Sequence, residues 1–163
     1  MLLDAKGAKD DIWIKPDQVP QVQSSHRLVL WQDWPDDGEV QARGVEIPNT
    51  LKIDDLVPIF DQVDLIAIRF GAFTDGRGFS LARLIRAKGY KGTLRATGPL
   101  IPDQFAYVLR CGFDEVEVPD ANANRQPPEV WLQAARSFSA NYQRGYATGV
   151  NILEQRRLAR AGR

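Results

Sequence analysis

The chain has one cysteine, Cys111, and one histidine, His26, among 163 residues. A lone thiol closes no internal disulfide and cannot supply the cysteine set of a zinc or iron–sulfur centre within one chain. Neither sign of charge is in excess: 21 lysines and arginines face 21 aspartates and glutamates. No overall field therefore draws the chain to nucleic acid or to an anionic membrane. Nowhere do ~18 apolar residues stand together, as a membrane-spanning helix requires. The start, Met1 to Lys6, lacks the apolar run of about 7–15 residues found in a signal peptide. These absences predict a cytoplasmic protein with a reduced thiol, partnered by neither nucleic acid nor membrane.

What is present is enough apolar material for one core: 44% of the residues are hydrophobic, and the length is too short for two full domains. Residues 1–25 are polar and interrupted by Pro16 and Pro20, so they read as an N-terminal arm whose patch Ile12-Trp13-Ile14 fits an added edge strand. Residues 26–143 read as an α/β domain. Arg27 to Trp31 is β-rich and stops at Trp34-Pro35-Asp36-Asp37-Gly38, a turn signal. Gly44 to Pro48 is a short strand, and Lys52 to Phe60 places Ile53, Leu56, Val57 and Phe60 at helical spacing, with Pro58 working against it. Val63 to Phe70 is nearly continuous apolar sequence, the mark of a strand covered on both faces. Phe79 to Lys88 then reads as a helix stopped by Gly89, Thr93 to Thr97 as a strand, and Pro102 to Cys111 as a helix ended by Gly112. Asp114 to Val118 is another strand, and Glu129 to about Tyr142 a last helix with Trp131, Ala134, Ala135 and Phe138 along one stripe.

From Gly44 onward this order is four successive βα units, which predicts a mainly parallel sheet, either open or half of an eight-unit barrel. The open sheet is the commoner of the two. Residues 144–163 form a basic tail with five arginines against the single Glu154. Such a tail reads as a solvated terminal helix or as a partner-binding arm.

Ligands of parallel α/β folds gather at the carboxyl ends of the strands, where loops vary freely and the next helices point their free N–H groups. The richest such loop is Gly71 to Ser80, in which Thr74, Asp75, Gly76, Arg77 and Gly78 put a hydroxyl, a carboxylate and a guanidinium between glycines just before a helix. Arg77 there suits a phosphate, sulfate or carboxylate, and Asp75 an acid or base. The same residues have a structural reading, with Thr74 or Asp75 capping the helix and Arg77 paired to Asp75. The loop is not a P-loop, since Gly-Lys-Ser/Thr is missing, and Gly76-Arg77-Gly78 lacks the third glycine of a dinucleotide fingerprint, so no cofactor is expected. A second loop brings Gln104 to the first turn of a helix. Arg95, on an inner strand, must find an acid or contact an anion, and Asp114, Glu115 and Glu117 offer the acids. Cys111, near the negative end of a helix, reads as a buried and inert thiol.

The stretch Phe73 to Arg86, with Gly89 to Gly98 and Arg110 to Asp114, resembles a bacterial domain family of unknown function. Its members accompany assimilatory sulfite reductase and are described as probable oxidoreductases of sulfite reduction. The resemblance runs from about Asp11 to Tyr142 and brings no catalytic residues to carry over. The family commonly has valine or aspartate where this chain has Pro99 and Leu100. The resemblance implies an accessory or adaptor protein docking on sulfite reductase or its electron donor. An enzyme acting on a small anion, with Arg77 as clamp, is the alternative. A homodimer that shares a site across subunits is a third reading.

Overall fold

The computed structural model of the chain describes residues 1–15, 26–34 and 42–137. Among them, strands β1 (Leu2–Asp4), β2 (Gly7–Lys9), β3 (His26–Leu30), β4 (Ala42–Pro48), β5 (Leu65–Arg69), β6 (Thr93–Thr97) and β7 (Glu115–Glu117) form one open sheet in the order β2-β1-β7-β6-β5-β4-β3. Pairing is parallel from β3 through β7, while β1 runs antiparallel to both β7 and β2. The sheet is thus mostly parallel with antiparallel pairs at one edge.

Helices α1 (Ile53–Leu56), α2 (Arg77–Ala87) and α3 (Pro102–Arg110) connect β4 to β5, β5 to β6 and β6 to β7, and α4 (Asp120–Ala123) and α5 (Pro128–Ser137) follow β7. Each new parallel strand is laid beside the last in one direction, and right-handed crossovers then bring the connecting helices to a single face. Val45, Ile47, Ile66, Ile68, Leu94, Ala96 and Val116 point to that face and pack with Leu56, Phe79, Ile85, Phe105, Val108 and Trp131. Full burial of such side chains contributes roughly 1.5–3 kcal/mol each, which makes this layer the main source of stability.

Local chemistry explains where the elements stop. Pro58 has no N–H to donate, so α1 ends at Leu56 and the chain tightens into a 3-10 turn over Val57–Ile59. Past the end of α2, Gly89 takes a left-handed φ of +99°. Arg86 ties the far end of α2 to its neighbours: its Nε donates to the Gly112 carbonyl at 2.8 Å, its Nη1 to the carbonyls of Tyr90 and Gly92, and its Nη2 to Asp114. Trp131 of α5 is fully buried, its ring edge-on to Phe105 with centroids 5.6 Å apart.

The opposite face of the sheet is covered differently. Gly44, Leu65, Ala67, Arg95 and Glu115 alternate with the core residues and so point away from the helices. Residues 10–15 cross this face after leaving β2. Trp13 lies on Gly44, where a Cβ would sit 2.9 Å from the indole, and packs with Leu28, Leu65 and Ala67. The patch Ile12-Trp13-Ile14, expected as an edge strand, makes a single parallel bridge from Ile14 to Arg27. Residues 2–9, expected within an N-terminal arm, pair as β1 and β2 in the main sheet. The turn at 35–38, the end of the last helix beyond residue 137 and the tail at 144–163 lie outside the described residues. Among the described residues no helix is long and apolar enough to cross a membrane.

Candidate functional site

The parallel register aligns Pro48 with Arg69 and Arg69 with Thr97, and Thr97 in turn lies opposite Glu117. Four strands therefore end on one line, and the loops that follow them leave from a common rim. Two glycines hold the rim tight. At Gly98, with φ +124°, a Cβ would lie 2.3 Å from the Phe70 carbonyl oxygen, and at Gly78 it would lie 2.4 Å from the Phe70 ring. A side chain at Gly98 would push apart the loops after β5 and β6, and one at Gly78 would displace the Phe70 ring beneath the start of α2.

In the first loop Asp75 is the centre. It accepts from Arg77 Nε at 2.9 Å and Nη2 at 2.7 Å, from the Arg77 backbone N–H at 3.2 Å, and from Asn49 Nδ2 at 2.9 Å. The hydrogen bonds from the Arg77 side chain, then those from Asn49 and the Arg77 backbone, hold its carboxyl well below the usual carboxylate range. The same pairing raises the Arg77 pKa. Asn49 leaves from β4 and is buried, so this contact joins the loops after β4 and β5. Gln104, on the first turn of α3, donates from Nε2 to the Phe73 carbonyl at 2.7 Å and accepts the Ile101 N–H at Oε1 at 3.2 Å. Thr74 is exposed and Gly78 buried. Thr74, Asp75, Gly76, Arg77, Gly78 and Gln104 thus share one rim; Asn49-Thr50 was expected on this carboxyl edge too, but the contact of Asn49 with Asp75 was not, because only the fold brings the end of β4 beside this loop.

Arg95 is elsewhere. Its side chain is 1% exposed on the face away from the helices, where Nε donates to Glu115 at 2.7 Å and Nη1 to Glu117 at 3.1 Å. Nη1 and Nη2 also donate to the two oxygens of Asp11 at 2.9 Å each. Burial acts to lower the Arg95 pKa, but the bonds to Asp11 and the charges of Glu115 and Asp11 outweigh it and the net direction is up. Asp11 is likewise pushed up by burial and pulled further down by Arg95. Lys9 pairs with Glu115 at 2.7 Å and Lys15 with Glu117, so three cations and three carboxylates alternate over β6 and β7. Among the described residues the guanidinium donates to the carboxylates of Asp11, Glu115 and Glu117, which makes Arg95 an ion-pair hub. A cavity of about 340 Å³ opens beside it, with Leu2, Trp13, His26 and Asp64 on its walls.

Cys111 is buried at the end of α3, and burial raises its thiol pKa against the opposing hydrogen bond of Tyr107. Two aromatic rings by the rim are half-exposed: Phe73, in the loop, is 51% exposed, and Tyr107 of α3 is 47% exposed and stands edge-on to Phe79 with centroids 5.0 Å apart.

An open, mostly parallel α/β sheet with an internally paired polar rim is the class these features define. A family described as a bacterial protein of unknown function (DUF934) matches residues 44–152, and the chain belongs to that family. No curated protein matches the chain. The match opens on β4, so Arg95, Glu115 and Glu117 lie inside it while Asp11 and Lys15, which complete their ion pairs, lie before it.

Proposed function

We propose that the chain is an accessory protein of assimilatory sulfite reduction, built on four successive βα units, which docks on sulfite reductase or its electron donor. The choice of partner follows the sequence resemblance. One observation carries the docking reading. Asp75 is occupied by Arg77 and Asn49, and Gln104 by the Phe73 carbonyl and the Ile101 N–H, while the rings of Phe73 and Tyr107 stand half in solvent. Polar groups that spend their hydrogen bonds on shaping a loop hold it rigid, and exposed aromatic rings on a rigid surface are the groups that anchor protein contacts. Size-exclusion chromatography of the full chain with purified sulfite reductase, and separately with its electron donor, tests the proposal. Co-elution with one of them is the expected result, and clean separation from both at micromolar concentration removes the reading.

A second reading is favoured by the exposure of Arg77, whose side chain is 63% accessible at the first turn of α2. There it would serve as the clamp of a small-anion enzyme. An anion would have to displace Asp75, which already accepts both the guanidinium and the first backbone N–H of the helix. Thermal stabilisation by sulfite or sulfate that Arg77→Ala abolishes would favour this reading over docking.

A further inference from the structure

The cavity beside Arg95 lies at the end of the sheet away from the rim, since its walls include His26, Thr93 and Glu115, the first residues of β3, β6 and β7. Its volume, about 340 Å³, falls in the range of small-molecule sites. The floor is electrically settled. Arg95 and Glu115, 1% and 3% exposed, pair with each other, Lys9 takes the second oxygen of Glu115, and Asp11 takes both outer nitrogens of Arg95. The mouth is not settled in this way. Asp10 and Asp64 are exposed on the walls, and among the described residues no cation pairs with either; the Asp64 carboxylate accepts the Arg43 backbone N–H at 3.1 Å. The four carboxylates Asp10, Asp11, Asp64 and Glu115 thus face the two cations Lys9 and Arg95, and a protonated His26 would still leave the acids ahead. The apolar part of the wall is Leu2, Ile12 and Trp13. The indole is fixed between Gly44 beneath it and His26, which stands edge-on with ring centroids 5.3 Å apart. Among the described residues no three histidine, cysteine or acidic side chains come close enough to hold a metal ion, so the carboxylates suit a cation whose charge is carried on an organic body.

We propose that this cavity binds a small organic ammonium, a primary or quaternary amine with a short apolar body, which rests its body against Trp13 and Ile12 and turns its charge to Asp10 and Asp64. Carboxylates beside an indole suit such a group, because an alkylammonium gains from an aromatic neighbour as well as from negative charge. The proposal is independent of the docking reading, which concerns the opposite end of the strands.

Heteronuclear NMR titration of the full chain with phenethylamine and with choline, and with phenylacetate as an anion of matching size, tests it. Saturable shifts of the Trp13 indole N–H and of the amides of residues 9–13, 64 and 93 are expected with at least one of the amines, and none with phenylacetate. Asp64→Asn keeps an acceptor for the Arg43 N–H, and Asp10→Asn removes no hydrogen bond among the described residues, so both variants should fold, as the dispersion of their spectra verifies. Each is expected to weaken amine binding by about threefold, the range of one exposed ion pair, and the two together by about tenfold. Asp54→Asn, an exposed acid on α1, is expected to bind as the native chain does. No saturation with either amine up to about 10 mM, where binding is too weak to mark a site, overturns the proposal. Amine binding that the double variant retains in full overturns it too. Phenylacetate binding as tightly as phenethylamine does the same, since Lys9 or Arg95 would then be the ligand's partner.

Discussion

Arg95 and Asp11, 84 residues apart in the chain, meet end-on through two hydrogen bonds of 2.9 Å. That contact fastens the segment leaving β2 across the sheet face that the helices leave uncovered. A planar guanidinium with five donors suits it, because one side chain can reach Asp11, Glu115 and Glu117 together.

Removing Arg95 leaves Glu115, 3% exposed, with Lys9 as its remaining cation. Arg95→Met is expected to cost about 3 kcal/mol of unfolding free energy, measured by urea denaturation, because taking the buried guanidinium from between Asp11, Glu115 and Glu117 leaves their charges less compensated. Adding Glu115→Gln to that variant is expected to restore part of the loss. Arg95→Lys should also be clearly destabilised, since an ammonium cannot reproduce the forked contact to Asp11.

The pH dependence follows from the direction of the Asp11 shift. Its carboxyl titrates below the ordinary value of 3.8 in the folded chain, so the unfolded chain binds its proton first as pH falls. The stabilisation from Asp11 is present in full above that ordinary value and is lost as pH drops through the folded value. Melting temperature recorded against pH should fall below pH 3.8, and Asp11→Asn should flatten that fall while lowering stability at neutral pH.

Gly98→Ala is expected to destabilise by about 2–5 kcal/mol, from a strained backbone and a Cβ forced against a carbonyl oxygen. The glycine has φ +124° and its added Cβ would stand 2.3 Å from the Phe70 oxygen. Gly71→Ala, in the same rim but with nothing within 4 Å of the new Cβ, is the comparison. It should stay within about 0.5 kcal/mol of the native chain by chemical denaturation.

Arg77→Ala should leave the melting temperature nearly unchanged. Its pair with Asp75 is solvent-exposed, and exposed ion pairs contribute little after side-chain entropy and screening. A large loss of stability would show that the loop depends on Arg77 more than its geometry implies.

The sequence was most legible where one local rule decided the outcome. The apolar run at 63–70 marked β5 because both faces of that strand are covered, and Thr93–Thr97 was found at the expected bounds. Pro102 and Gly112 bracketed α3 as the start and stop rules require. The N-terminal residues were not legible in the same way. Leu2-Leu3-Asp4 and Gly7-Ala8-Lys9 are too short to show a period, and they become strands because β7 offers Leu2, Leu3 and Asp4 an edge to pair with. The rim residues could be named from one loop, and the pairing of Arg77 with Asp75 was one of two readings open there. The pairing of Asn49 with Asp75 and of Asp11 with Arg95 could not be found, since each reaches its partner only through the order of strands in the sheet.

Hydrogen–deuterium exchange of the full chain, alone and with purified sulfite reductase or its electron donor, bears most directly on the docking account. The account predicts slowed exchange on complex formation in the loop 71–78 and around Tyr107. Slowing confined to residues 9–15 and the strand face beneath them, with the rim unchanged, would contradict it.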